Sequence, residues 1–239
     1  MNKRQDVRNV AIIAHVDNGK TTIVDSLLKL AGQFKVKQDE AQETVLDSNP
    51  LERERGITIF SKQAGIKTEN TEITLLDTPG HVDFSSETER TLQVMDYAIL
   101  VISARDGVQV HTETLWKLLS RYNVPTFVFV NKMDLDDTDK SVIMKNLRDN
   151  LGEGCVDFSE KNDDSYENIA LCDEMSMEKY MDDGSLSTEE ISVLIKERKV
   201  FPCFFGSALR LFGVSEFIEG LEVFANEPEK LDAFGAYVF

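Results

Sequence analysis

Residues 14–22, Ala14-His15-Val16-Asp17-Asn18-Gly19-Lys20-Thr21-Thr22, have the types and spacing of a phosphate cradle. They match the pattern G-x-x-x-x-G-K-[ST] with Ala14 at the first glycine position. Backbone N–H groups of such a loop, with the N-terminus of the helix behind it, wrap a β-phosphate. Gly19 lets the backbone approach closely, Lys20 bridges the β- and γ-phosphates, and the Thr21 hydroxyl is a ligand for Mg²⁺. With its substituted first position this match alone could be chance.

Three further signals follow it. Asp77-Thr78-Pro79-Gly80-His81 ends an apolar run, where Asp77 can serve the Mg²⁺ as its carboxylate and the Gly80 N–H can sense a γ-phosphate. Read alone, the same residues are an ordinary turn. Asn131-Lys132-Met133-Asp134 ends another. A carboxylate at Asp134 accepts N1–H and N2–H₂ of guanine together, a pair adenine cannot offer, though a turn-forming aspartate is the plain alternative. Gly206-Ser207-Ala208-Leu209 ends a third, where backbone N–H groups can meet guanine O6.

The elements that must position these residues alternate. Val7–Ala14, Tyr97–Ser103, Thr126–Asn131 and Val200–Phe205 are continuous apolar runs, as expected of strands buried on both faces. Two more strands are expected near Thr58–Lys67 and Ile73–Asp77. Helices are expected near Thr21–Ala31, Thr112–Tyr122, Asp139–Asn150, Tyr166–Met181, Ser187–Lys196 and Val214–Phe224. Ser187 with Glu190 has the spacing of a capping box. Gly32–Gly56 reads as a long mobile loop, and a polar, Gly- and Asp-bearing stretch follows the Asp139–Asn150 helix through Ser165. The fold class is therefore α/β, a P-loop NTPase with a mostly parallel sheet, helices on both faces and a helical insertion subdomain. All four signals fall at C-terminal ends of strands, where open α/β sheets bind ligands.

Composition narrows the setting. The 239 residues are 41% apolar and 29% charged, with net charge −17, which argues against a broad basic face for nucleic acid. Asp134–Lys199 holds 19 Asp and Glu against 8 Lys and Arg, −11 of that total; a solvated surface is the plain reading of such a run. No apolar run is long enough to span a bilayer, and Met1–Asp6 lacks the apolar core of a secretion signal. Cys155, Cys172 and Cys203 stand apart and read as the reduced thiols of a cytoplasmic protein.

These residues resemble the translational GTPases of the elongation factor G superfamily. Ala14-His15-Val16-Asp17 is that superfamily's form of the loop, and Arg55-Gly56-Ile57-Thr58 and Asp77 through Phe84 match it as well. Within it, Leu51–Thr58, Ile102–Gln109 and a short insertion bearing Glu178-Lys179-Tyr180-Met181 are similar to the tetracycline-resistance ribosomal protection proteins. The resemblance implies an enzyme that cleaves GTP to GDP and phosphate with Mg²⁺, bound by Thr21, Thr58 and Asp77. It implies that His81 orients the attacking water, with Lys20 and Thr58 as its catalytic companions. Val16 and Ile57 would gate His81, and Asp17 would help hold a monovalent cation. The implied partner is the ribosome, through the GTPase-activating region of its large subunit and its stalk protein, with no membrane role and a monomeric isolated domain. Leu209 departs from the usual lysine or aromatic, and the side chains of His15 and His111 are read as structural.

The expected divisions are a GTPase domain from 1–134 and 200–226, an acidic insertion subdomain from 135–199, and, in 227–239, a linker leading into the first strand of a β-barrel, so that the chain reads as a piece of a longer protein. An elongation factor G-type translocase and a nucleotide-dependent binding module without turnover are the alternatives. A P-loop ATPase conflicts with Asn131–Asp134.

Overall fold

The computed structural model describes residues 6–30, 62–67, 71–78, 85–135, 138–159 and 163–226. The expected mobile loop Gly32–Gly56, together with Ile57, Thr58, Gly80, His81 and residues 227–239, lies outside the described residues. In chain order the elements are β1 (Asp6–Ala14), α1 (Lys20–Leu30), β2 (Lys62–Lys67), β3 (Thr71–Asp77), α2 (Ser85–Leu92) and β4 (Tyr97–Ser103). There follow α3 (Val110–Arg121), β5 (Thr126–Asn131), α4 (Lys140–Leu151), β6 (Cys155–Asp157) and α5 (Asp163–Ala170). The series ends with α6 (Glu174–Asp183), α7 (Thr188–Lys196), β7 (Phe201–Phe205) and α8 (Val214–Phe224).

The strands form one sheet in the order β2-β3-β1-β4-β5-β7-β6. All neighbours are parallel except β2, which runs antiparallel to β3. Both faces are covered, as expected. Val10 and Ile12 of β1, Ile99 and Val101 of β4, and Phe127 and Phe129 of β5 face one apolar core, shared with α1, α7 and α8. The alternate residues Ala11 and Ile13, Leu100 and Ile102, and Val128 and Val130 face the other, shared with α3 and α4. A strand that buries both its faces needs side chains of this kind at every position, which is why these segments carry no polar alternation.

Two expectations change between 135 and 199. The polar stretch through Ser165, where no strand is expected, contains β6, an edge strand paired with β7, with Cys155 opposite Phe201 and Asp157 opposite Cys203. The single helix expected over Tyr166–Met181 is two, α5 and α6, parted at 171–173. Asp173 starts the second by accepting the Ser176 N–H on its side chain, the usual work of an N-cap. The capping box of Ser187 and Glu190 is present at α7. Thus α4 and β6 join the main sheet and its layers, and α5, α6 and α7 are what the acidic segment adds to the strand–helix alternation.

Arg198, at φ 59° after α7, clamps the N-terminal end of β5. Its guanidinium lies 5.0 Å from the ring centres of both Trp116 and Phe201. It donates to Val124 O and, at 3.0 Å, to Thr126 Oγ1. Burial pushes its pKa down to about 10. A partly desolvated cation over two rings, bonded to a carbonyl, supports Arg198→Ala costing roughly 3 kcal/mol. Urea unfolding followed by the fluorescence of Trp116, the sole tryptophan, measures it; a change under about 0.5 kcal/mol, the range of ordinary surface substitutions, contradicts this role.

Candidate functional site

The four signals meet at the C-terminal edge of the sheet. The turn from β1 into α1 begins at Ala14, which pairs with Val101 of β4. Asp77 ends β3 beside Ile12 of β1, and Asn131 ends β5 beside Ser103. Thr78 fixes the end of β3 to β1, its N–H and hydroxyl both donating to Ile12 O, at 3.3 and 2.8 Å.

Lys20 and Asp77 are both buried and form an ion pair. Such a pair is held where neither charge has water to fall back on, and losing one partner leaves the other uncompensated. It places the first residue of α1 against the end of β3, with the Thr21 hydroxyl one residue away.

The loop from Ala14 to Lys20 is shaped by two left-handed residues, Asp17 at φ 66° and Gly19 at φ 85°. Asn18 between them is buried, and its Nδ2 donates to Val101 O at 3.1 Å. A Cβ at Gly19 would collide with Asn131 Nδ2, so this position needs glycine for space as well as for φ.

Asn131 joins the phosphate loop to the loop after β7. Its Nδ2 donates to Asn18 O at 2.9 Å, and its Oδ1 accepts the Ala208 N–H at 2.9 Å. Met133 N–H donates to Gly206 O at 3.0 Å, a second tie between the same loops. Lys132 adopts φ 65°, which turns the chain so that Asp134 is exposed, 3.8 Å from Arg210 Nε.

The loop after β7 spends its first donors on itself. The Ser207 N–H donates to Phe212 O at 2.9 Å and the Ala208 N–H to Asn131, so the two groups expected to face guanine O6 hold the loop's shape here. Leu209, 65% exposed, stands at its tip. His15 and His111 meet edge to face, ring centres 5.6 Å apart, linking the phosphate loop to the start of α3. The structure thus brings Ala14 to Thr22, Asp77, Asn131, Lys132, Asp134 and Ser207 to Leu209 to one edge. Reading the residues missed Ser26, buried on α1, whose hydroxyl reaches Ala208 O at 2.7 Å. The available signal was a polar residue among Ile23, Val24, Leu27 and Leu28 on the buried face of the helix.

Residues 5–227 match the family described as the elongation factor Tu GTP binding domain. The chain belongs to that family. It is the GTP-binding domain of a translational GTPase, and it hydrolyses GTP. Among its relatives, the tetracycline resistance protein TetP of Clostridium perfringens is 35% identical over 89% of this chain and 36% of its own length. TetM from transposon Tn916 of Enterococcus faecalis is 34% identical over 88% of the chain and 36% of its length. The large ribosomal subunit assembly factor BipA of Bacillus subtilis is 48% identical over 57% of the chain and 22% of its length. A crystal structure of a protein from Thermus thermophilus superposes with a TM-score of 0.80 at 24% identity, over 92% of this chain and 40% of that one, which shows the fold. This GTPase domain therefore spans about a third of the length of the tetracycline-resistance relatives it matches.

Gly19→Ala in this domain combines left-handed strain with displacement of Asn131. A non-glycine residue held in that conformation costs about 1–3 kcal/mol, so GDP affinity should fall roughly 10- to 100-fold. Equilibrium titration with GDP measures it, and unchanged affinity contradicts the close fit of Gly19 against Asn131.

Proposed function

We propose that this domain is the GTP-hydrolysing part of a ribosome-associated translation factor of the tetracycline-resistance ribosomal protection type, working in the cytoplasm. The observation that carries this reading is the likeness to TetP and TetM along 88–89% of the chain. Within the site, residues 14–22 cradle the phosphates, Lys20 neutralises the β- and γ-phosphate oxygens, and Asp134 accepts both guanine donors. Ser207, Ala208 and Leu209 form the facing wall, with Leu209 supplying apolar cover to the base.

Mg²⁺ suits the donors present. The Thr21 hydroxyl and the Asp77 carboxylate are hard oxygen ligands, and the Lys20–Asp77 pair sets cation and carboxylate side by side, where a phosphate meets the one and its metal the other. Thr58 is the third proposed ligand. Bound there, the ion would neutralise charge on the transferred phosphoryl group. In the reaction a water oxygen bonds to the γ-phosphorus, and its protons stay with the phosphate product. The bond from phosphorus to the β–γ bridging oxygen breaks, and its electron pair leaves with GDP. His81 holds the water in line, with Gly80 at the γ-phosphate, and Val16 and Ile57 keep His81 back until the ribosome engages.

The partners are the large-subunit GTPase-activating region and the stalk protein. Residues 135–199 form the docking segment, whose acidity steers it toward a basic patch and away from rRNA. A second reading, favoured by the 48% identity with BipA, is a factor acting in assembly of the large ribosomal subunit. Protection of translation from tetracycline by the whole protein separates the two.

Two variants test the chemistry. Asp134→Asn should weaken GTP and favour xanthosine triphosphate, by roughly 10⁴-fold in relative preference, because an amide N–H₂ suits a 2-oxo group and opposes guanine N2–H₂. His81→Ala should keep nucleotide affinity but lose ribosome-stimulated turnover, leaving an intrinsic rate of the order of 10⁻⁴ to 10⁻² s⁻¹. Normal ribosome-stimulated hydrolysis by His81→Ala in the whole protein would sink its proposed role.

A further inference from the structure

Ser26 lies in the middle of α1, buried, with one hydroxyl proton and two carbonyls in reach. Thr22 O, four residues back in the same helix, is 2.7 Å away, and Ala208 O, 182 residues on, is also 2.7 Å away. The first contact is the ordinary back-bond of a helical serine. The second joins the helix behind the phosphate loop to the loop after β7.

Together with Asn131 it closes a ring. The Ala208 peptide is held on both sides, its N–H by Asn131 Oδ1 and its C=O by Ser26 Oγ, each within 2.9 Å. Asn131 Nδ2 returns to the phosphate loop at Asn18 O, and the α1 backbone runs on from that loop to Ser26. Asn18, Ser26, Asn131 and Ala208 are all buried, so no water competes for these bonds. Just beyond the clamp the chain is at the surface: Leu209 and Phe212 are 65% and 62% exposed, and Leu211 sits at φ 58°. The stem of the base-side loop is fixed while its tip is open.

The geometry points to Ser26 as a positioning residue that locks the base-side loop to the phosphate helix and so sets how long guanine nucleotide stays bound. This rests on the proposed roles of residues 14–22 and 207–209. Asn131 grips both halves of the site, whereas Ser26 grips only the base-side loop, from the rigid helix. Removing the hydroxyl leaves the Ala208 carbonyl only the Leu211 N–H of its own loop, at 3.3 Å, and the Ala208 peptide tied to the rest of the site from one side, and loosens contacts to the base more than contacts to the phosphates.

Stopped-flow release of a fluorescent GDP and titration with magnesium tripolyphosphate, which has no base, separate the two halves. Ser26→Ala should release GDP about tenfold faster, the effect of one neutral hydrogen bond. The ratio of GDP to tripolyphosphate affinity should fall by the same factor, and Ser26→Thr, which keeps the hydroxyl, should restore both. A thermal midpoint lowered by only about 2–4 °C in Ser26→Ala, the cost of one buried hydrogen bond, accompanies the expected result. GDP release at the wild-type rate overturns the inference. So does an equal loss of affinity for both ligands, which marks a general weakening of α1. Wild-type chain that fails to retain GDP overturns the nucleotide roles themselves, and the inference with them.

Discussion

Asn131 holds the site together through one buried carboxamide. Its amide nitrogen must donate, because Asn18 O can only accept, and its oxygen must accept, because the Ala208 N–H can only donate. That pairing fixes the orientation of the side chain and makes it irreplaceable by a carboxylate, which would set an acceptor against the Asn18 carbonyl. Gly19 has no Cβ because the carboxamide occupies that space. The strand beneath supplies the rigidity: Asn131 is the last residue of β5, its carbonyl accepting the Ala104 N–H at 2.8 Å. Loops far apart in the chain thereby behave as parts of one surface.

The charges of the chain are arranged around this uncharged centre. Lys20 and Asp77 sit buried as a pair at the end of the sheet nearest β1 and β3, the place where the proposed function sets a phosphate and its cation. Arg198 lies at the opposite, N-terminal end of β5 and serves the fold alone. Helices α5, α6 and α7 carry nine Asp and Glu against two Lys, −7 of the chain's −17. In and beside these helices two lysines are committed to neighbouring acids, Lys179 to Glu190 and Lys199 to Asp173 and Glu197. Those contacts hold Glu190 down to about 2, first through Lys179 and then through the Ser187 N–H, and lower Asp173. Acid left over after such pairing faces solvent, as a surface that repels polyanions would.

Much of the fold was legible because its signals are local. Tyr97–Ser103, Thr126–Asn131 and Val214–Phe224 read as they stand in the structure, since a buried strand and an amphipathic helix announce themselves within a dozen residues. The Ser187–Glu190 capping box was legible for the same reason. The three residues of β6 were not: only pairing with β7 makes them a strand. The break between α5 and α6 was written in Asp173 and Ser176, but no Gly or Pro marks it between Tyr166 and Met181. For the site, residue types and their order located the loops, while the bonds joining them stayed hidden. Asn131 meets Asn18 and Ala208 across 113 and 77 residues, and Ser26 meets Ala208 across 182. That the Ser207 and Ala208 N–H groups also serve the loop's own backbone was likewise invisible locally, since their acceptors are Phe212 O and Asn131 Oδ1.

If Asn131 joins the two halves of the site, its loss must be felt by a ligand that touches only one of them. The decisive measurement is a ³¹P NMR titration of wild-type and Asn131→Ala chains with magnesium tripolyphosphate, alongside GDP binding by both. Asn131→Ala should weaken both ligands, each by roughly tenfold or more, as expected when a buried donor and a buried acceptor lose their partner together. Weakened GDP binding with unchanged tripolyphosphate affinity would contradict it, leaving Asn131 a contact for the base and nothing more.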